Sequence, residues 1–310
     1  MDKSILIEFN SRPSAISFML NALRTSQGRR QALRVPPITA RWRNLRVDRN
    51  QLDDFLRLTG LCADAALPMI YPHVFGFRLQ MVVLSHPTFP IPIWSALQIR
   101  NEFVQHCPIS ADACMNLETH VADQRVLQNG YEVDLHTVVS VAGSRVWESL
   151  NTFYYRGRFG EPESPSPHSP APEKPTTTIA QWHLASGVGW RVARMTGDYN
   201  GIHRWNWYAR LFGFKSAFFH PQIVAGQCMA RLVSPEVDLP QRLALWLKGP
   251  VYFDADVTLL ARSIGEVTEF ALLVAGEERP AILGRWGGSS SKSLPEGSIG
   301  LRRSDTNRAE

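Results

Sequence analysis

The sequence predicts an α+β protein: two antiparallel sheets, each wrapped round a long helix, joined edge to edge in one chain. Three observations carry that expectation. Between Ile38 and Tyr155 helical patterns precede a series of alternating strands, the order of an α+β layer. A proline-rich stretch then interrupts the chain, and the same order returns before Trp286. Finally, Phe55-Leu56-Arg57-Leu58-Thr59-Gly60 resembles Val192-Ala193-Arg194-Met195-Thr196-Gly197, a weak internal repeat.

Residues 1–33 read as a polar, arginine-containing N-terminal extension with one apolar helical stretch, Ile16 to Leu23. The first domain is placed at 34–158. Ile38 to Val47 reads as a strand. Asp48 is placed to cap a helix reaching Leu58, because its carboxylate can accept from the free N–H groups of a first turn. Leu52, Phe55, Leu56 and Leu58 are the apolar residues of that helix, and Thr59-Gly60 ends it. Met69 to Leu84 is a second helical stretch, interrupted near its start by Pro72. Strands follow. Ala96 to Val104 is one; Met115, Leu117, Thr119 and Val121 alternate in the next. Asn129-Gly130 is a hairpin turn, Val133 to Val141 alternates back, and Gly143 turns the chain into Val146–Tyr155.

Residues 159–177 read as a linker, since six prolines between Glu161 and Pro175 hold the backbone semi-rigid and leave nothing to bury. The second domain is placed at 178–288. It opens with a helix from Gly187 to Met195. A polar loop follows, then an aromatic run from Trp205 to Phe214, then a buried helix over Ala217–Leu232 with Pro221 in its first turn. Strands are expected at Leu243–Lys248, Val251–Arg262, Val267–Ala275 and Ala281–Trp286. The Gly/Ser-rich, charged residues 289–310 read as a disordered tail. In the register of the repeat, Leu61 falls at Asp198 and Ala66 at His203. Further on, Met81–Leu84 suits Met229–Leu232 after a deletion better than Phe75-Gly76-Phe77 suits Phe212-Gly213-Phe214 without one.

Composition removes several classes of function. A chain of 310 residues is long enough for two cored domains, and 44% hydrophobic with 20% charged residues is ordinary for a globular protein. The net charge is +5, with a pI near 9.2, but the basic residues are scattered apart from Arg29-Arg30 and Arg302-Arg303. A solvated basic surface is therefore expected, and no nucleic acid partner. Such a field also suits the phosphates of coenzyme A or an acidic carrier protein. No apolar run reaches the length of a membrane span, and the N-terminus lacks the pattern of a secretory signal. The four cysteines, Cys62, Cys107, Cys114 and Cys228, have no metal-ligand spacing. The expectation is a cytoplasmic protein with reduced thiols. No glycine-rich nucleotide loop, metal cluster or Gly-x-Ser-x-Gly elbow occurs, so no cofactor, no metal and no serine-hydrolase triad are expected.

The chemistry concentrates in Met195-Thr196-Gly197-Asp198-Tyr199-Asn200-Gly201-Ile202-His203. A helix advances about 100° per residue, so Asp198 and His203 could not converge on one. Gly197 and Gly201 mark a loop instead, where the backbone can turn both side chains to one point. Asn200 is expected to lock that loop through backbone hydrogen bonds, and Tyr199 to pack. The aromatic residues Trp205, Trp207, Tyr208, Phe212 and Phe214 are expected to pack in the core, with an acyl tunnel as the alternative. Asp64 and His73 lack glycines on both sides and read as ordinary residues.

Gly-Asp-x-Asn-x-x-His, an aromatic run, Gly213-Phe214 and a helix led by His220 come in an order that resembles the MaoC-like (R)-specific enoyl-thioester hydratases and 3-hydroxyacyl dehydratases. The resemblance is close from Leu184 to about Leu232 and architectural elsewhere. It implies a double hot-dog fold, with a degenerate first domain and the site in the second. It also implies reversible hydration of trans-2-enoyl thioesters carried on CoA or acyl carrier protein. Asp198 and His203 would be the acid–base pair, with His203 handling water and Asp198 the Cα proton; Gly197 and Asn200 would support the loop. The helix N-terminus at His220, Pro221 and Gln222 would face the thioester oxygen, His220 itself being structural.

Two departures stand out. Gly201 replaces the family's usual proline. Pro221 replaces the glycine whose N–H would help hold the developing enolate, and proline has no N–H. Either Gln222 N–H takes over or the oxyanion hole is defective. Two rival readings therefore stand beside the hydro-lyase: an acyl-thioester binding or partner subunit without catalysis, and a hot-dog thioesterase. A homodimer is possible under any of them.

Overall fold

The computed structural model describes residues 4–15, 17, 18, 21, 34–63, 66–163, 165–168, 170–234, 239–288 and 294. The first half contains β1 (Ile5–Phe9), β2 (Ile38–Leu45), α1 (Arg49–Thr59), α2 (His73–Leu84), β3 (Ala96–Gln105), β4 (Met115–Leu127), β5 (Gly130–Val141) and β6 (Ser144–Arg156). The second contains β7 (Thr178–Leu184), α3 (Gly189–Thr196), α4 (Asn206–Leu211), α5 (Pro221–Met229), β8 (Gln241–Leu247), β9 (Ala255–Ile264), β10 (Val267–Val274) and β11 (Ile282–Gly288).

Among the described residues eleven strands form one sheet, ordered β1-β2-β4-β5-β6-β3-β8-β11-β10-β9-β7. The halves meet at β3 and β8, which pair antiparallel from Arg100 opposite Trp246 to Gln105 opposite Gln241. Joining there covers two sheet edges that would otherwise expose unpaired N–H and C=O groups. Outward from the seam the order is β3-β6-β5-β4-β2 on one side and β8-β11-β10-β9-β7 on the other. The same chain order is thus laid down twice, which is the double hot-dog architecture that the repeat foreshadows.

Local chemistry sets the helix boundaries. Asp48 accepts from the N–H groups of Asn50 and Gln51, and Gly60 closes α1 at φ 76°. The chain turns through Met69–Pro72 before α2 begins, because proline cannot donate within the helix. The first-half helix α2 is buried almost all round, as a helix wrapped by a sheet must be. Gln80 within it donates to Thr137 Oγ1 at 3.2 Å and Asn151 Oδ1 at 2.6 Å, tying the helix to the sheet. Its counterpart α5 crosses α1 closely: a Cβ on Gly226 would lie 2.5 Å from Thr59 Cγ2.

Several elements differ from expectation. The extension is not merely polar leader: β1 pairs parallel with β2, while most of Ile16–Leu23 lies outside the described residues. β7 carries no expected strand, since Ile179 and the rest of its outer side stay exposed and the run is short. The buried helix expected with Pro221 in its first turn does start at Pro221, whereas the strand expected from Val251 starts at Ala255. Residues 217–219 and 251–253 pair with each other instead, through a Phe218–Tyr252 bridge and a bond from Phe219 N to Val251 O. In the proline-rich stretch His168 is not solvated. Its Nε2 lies 3.1 Å from buried Asp134 Oδ1 and 3.0 Å from Thr152 Oγ1. Apart from Leu294, the expected tail lies outside the described residues. Among the described residues no helix is long and apolar enough to cross a membrane, and the four cysteines are free.

Candidate active site

The site loop follows α3, which ends as α1 does. Thr196 Oγ1 donates to Val192 O at 2.9 Å and accepts from Asp198 N at 3.1 Å. Thr59 Oγ1 donates to Phe55 O at 2.8 Å and accepts from Leu61 N at 3.3 Å. Gly197 and Gly60 both take left-handed φ, 82° and 76°. The repeats match bond for bond here, and Leu61 stands where Asp198 does. Gly197 has a second reason to lack a side chain: a Cβ would lie 2.8 Å from the Arg78 guanidinium carbon. Burial pushes that guanidinium down to about 10, and its Nη1 donates to Pro13 O at 2.9 Å.

Two side-chain turns then fold the loop. Asp198 Oδ1 accepts from Asn200 N at 3.0 Å, and Asn200 Oδ1 accepts from Ile202 N at 3.2 Å. A 3₁₀ turn over Gly201–His203 brings His203 back beneath the acid. His203 Nδ1 lies 2.9 Å from Phe218 O. A carbonyl only accepts, so Nδ1 carries the proton and the neutral ring presents Nε2 as a lone pair. That Nε2 is 3.6 Å from Asp198 Oδ2, and His220 Nε2 is 3.2 Å from the same oxygen. Sequence spacing brings Asp198 to His203; the fold adds His220, read as structural, as the nearer partner of the acid.

The electrostatics follow from burial and these bonds. Burial alone would raise the Asp198 carboxyl, but the hydrogen bond from His220, the charges of the His203 and His220 rings when protonated, and the Asn200 N–H outweigh it and hold it at about 2. Burial pushes His203 down to about 4, against the pull of Asp198. At neutral pH the pair is a carboxylate beside a neutral imidazole. Ligand atoms of Asp198, His203 and His220 all lie within 4.8 Å, a set that could also hold a cation. The Asp198–His220 contact, however, is a hydrogen-bond distance with a proton between the atoms, and it uses the lone pair a metal would need.

Asp198, Asn200, His203, His220 and Pro221 line one cavity of about 420 Å³; Gly197 and Gln222 do not line it. Both halves supply its apolar wall, the first through residues that include Phe77, Met81 and Leu84 of α2 and Leu97 and Phe153 of the sheet. Phe18 of the N-terminal extension also contributes. The half that lacks the Asp198 counterpart thus supplies part of the wall beside it. Sequence reasoning missed these residues because a core phenylalanine and a cavity phenylalanine look alike in a sequence.

The expected core aromatics behave differently. Trp205, Trp207 and Phe212 are 38%, 62% and 45% exposed, while Phe212 and Phe214 also reach the cavity. Helix α4 is too short, at six residues, to bury a whole face. Tyr199, expected to pack, lines the cavity too.

At the start of α5, Pro221 occupies the first helical position. Ile223 N donates to His220 O at 3.1 Å, so its N–H is already used. Helix geometry leaves the Gln222 N–H without an intrahelical acceptor. The Gln222 side chain points to the first half, where its Nε2 lies 2.7 Å from His73 Nε2 and donates to Gln98 Oε1 at 2.8 Å. His73 is therefore not ordinary: buried and pushed down to about 3, its neutral ring accepts from Gln222 across the pseudo-symmetric interface. Asp64 lies outside the described residues.

No family model matches the chain. By sequence it is similar to 3-hydroxyacyl-thioester dehydratase X of Mycobacterium tuberculosis. The two are 27% identical over 232 residues, which is 72% of this chain and 80% of that protein. A crystal structure of HtdX from Mycobacterium tuberculosis matches 81% of this chain and 100% of its own, with a TM-score of 0.69 at 22% identity. A MaoC-like dehydratase from Phytophthora capsici matches 83% and 96%, with a TM-score of 0.65 at 14% identity. The chain has the double hot-dog fold. In this chain the motif that carries the sequence resemblance is also where the cavity, the acid and both imidazoles meet.

Proposed function

We propose that the protein is a hydro-lyase that adds water to trans-2-enoyl thioesters and removes it from (R)-3-hydroxyacyl thioesters, carried on CoA or acyl carrier protein. The observation that supports this most directly is Asp198 and His203 sharing the polar end of an otherwise apolar cavity. The apolar wall suits an acyl chain. The pair suits movement of one proton between water and carbon.

In hydration, a water held between Asp198 Oδ2 and His203 Nε2 gives a proton to that lone pair while its oxygen bonds C3. The C2=C3 electrons move toward the thioester oxygen. The resulting enolate then takes the proton back from His203 at C2. Dehydration runs the same steps in reverse. Asp198 stays ionised throughout, orients the water and stabilises the imidazolium. This differs from the division in which Asp198 supplies the Cα proton; the hydrogen bond from His220 that holds the carboxyl ionised favours the positioning role for it. His220 positions the carboxylate. Gln222 keeps a free first-turn N–H but does not line the cavity, so what α5 offers the enolate oxygen is the positive end of its dipole.

A second reading rests on Pro221: an oxyanion hole short of one donor fits a slow enzyme or an acyl-thioester binding subunit. A cytoplasmic location accords with free cysteines and a soluble thioester substrate. The test is crotonyl-CoA with two simultaneous readouts. Loss of the conjugated enoyl-thioester absorbance without thiol release is the expected result. Thiol release would mean a thioesterase. No change in either signal, also with a longer acyl chain, would mean a binding protein.

A further inference from the structure

The surface beside the cavity mouth is unusual for a globular protein. Trp190, Trp205, Trp207, Leu211 and Phe212 are 50%, 38%, 62%, 73% and 45% exposed, all within one stretch of chain. Single exposed apolar residues need no explanation, but a contiguous patch marks an interaction site. The rings are contiguous here. Trp205 stacks on Trp207 at 6.1 Å between centroids, Trp190 meets Trp205 edge-on at 5.9 Å, and Tyr208 packs on Phe212 at 5.0 Å. The Arg204 guanidinium sits between Trp190 and Trp205, 4.3 Å and 4.2 Å from their centroids.

Charge defines the partner. The segment Gly189–Ala217 carries Arg191, Arg194, Arg204, Arg210 and Lys215 against one acid, Asp198, which is turned into the cavity. Among the described residues none of these five cations forms an ion pair. Position links the patch to the chemistry. Phe212 belongs both to the patch and to the cavity lining, and Tyr199 packs on Trp190 while facing the cavity.

We propose that this face docks an acidic carrier protein, which delivers its thioester-linked acyl group through the adjoining mouth. Tryptophan anchors among arginines form the composition of a protein-binding hot spot. The basic rim complements an acidic partner and steers its approach. The proposal rests on the hydro-lyase reading and assigns that site its carrier.

The experiment compares the crotonyl group on CoA with the crotonyl group on a bacterial acyl carrier protein. Two surface variants are used, Trp207→Ser/Leu211→Ser and Arg210→Glu/Lys215→Glu; none of the four residues lines the cavity. Each variant should lower kcat/KM for the carrier-bound substrate by about tenfold or more, through KM, as loss of a hot spot does. Turnover of the CoA thioester should remain within about twofold, the range of a surface change that misses the site. Equal losses on both substrates would overturn the proposal, as would no loss on either. So would a variant that instead abolishes a dimer in light scattering, or binding to phosphatidylglycerol vesicles, with carrier kinetics unchanged. If the wild type turns over neither substrate, the hydro-lyase reading fails separately. Docking is then read from tryptophan fluorescence during titration with the unloaded carrier protein: a response lost in Arg210→Glu/Lys215→Glu supports it, and no response in the wild type overturns it.

Discussion

His220 Nε2 lies 3.2 Å from Asp198 Oδ2, closer than the 3.6 Å that separates His203 Nε2 from the same oxygen. One carboxylate oxygen therefore serves two imidazoles in different ways. In the proposed mechanism His220 fixes it, and His203 works across from it. Removing His220 should loosen the acid without removing a proton carrier. A hydrogen bond to a charged group is worth about 1.5–3 kcal/mol, so His220→Ala should lower kcat/KM by roughly 10- to 100-fold. Because the carboxylate loses its main donor, the acid limb of the pH–rate profile should also move upward. A variant with wild-type rate and profile would make His220 a packing residue only.

Asp198→Asn and His203→Ala should each reduce turnover on the order of 100-fold or more, the usual loss for an acid–base group. The double variant should lose little beyond either single one, because the two act on one water. Additive losses would assign them to separate steps.

Pro221→Gly should raise turnover. The substitution restores an N–H at the first helical position, and a missing oxyanion donor costs about 2.7–4 kcal/mol in the transition state. Proline itself is tolerated there, since that N–H lies outside the helix ladder. The gain should appear in kcat with little change in KM. Unchanged or lower turnover, with the fold intact, would show that another donor already fills the place.

Gly197→Ala should destabilise the protein by at least about 1–2 kcal/mol, the penalty for a side chain in left-handed backbone. The added methyl also meets the Arg78 guanidinium, which has little room to retreat because Pro13 O holds it. Urea unfolding measures this. A change below a few tenths of a kcal/mol would show that the loop can rebuild.

Stability should fall with acid in a window set by His203. Its folded pKa of about 4 lies below the ordinary 6.5, so the unfolded chain binds more protons between these values. The contribution is complete above pH 6.5 and is lost as pH falls through the window toward 4. His73, pushed down to about 3, acts in the same direction. Asp198 adds a further loss below its ordinary 3.8, down to about 2. His203→Gln should flatten the denaturant midpoint between pH 7 and pH 4.5 relative to wild type. An unchanged slope would mean that His203 is not buried neutral.

Much of this was legible in the sequence, and the reasons differ by element. Asp48, Gly60 and Gly130 announce their cap and turns because their chemistry is local. The strands β4 to β6 announce themselves by alternation, since each has neighbours on both sides. β1 and β7 do not, because edge strands bury little. The acid and His203 were legible as a pair five residues apart. His220 as the nearer partner was not: it reaches Asp198 only because residues 217–219 pair with 251–253 and swing the start of α5 inward. The burial of His73 was hidden for the same reason, its partner Gln222 lying in the other half of the chain.

Isotope placement in the product tests the central claim most directly. The protein is incubated with crotonyl-CoA in water enriched in both deuterium and oxygen-18, beside Asp198→Asn, and the products are resolved by mass spectrometry. The account predicts oxygen-18 in a new C3 hydroxyl and one deuterium at C2, with the thioester intact and label uptake nearly absent in the variant. Oxygen-18 in a released carboxylate, or equal uptake by wild type and Asp198→Asn, would contradict it.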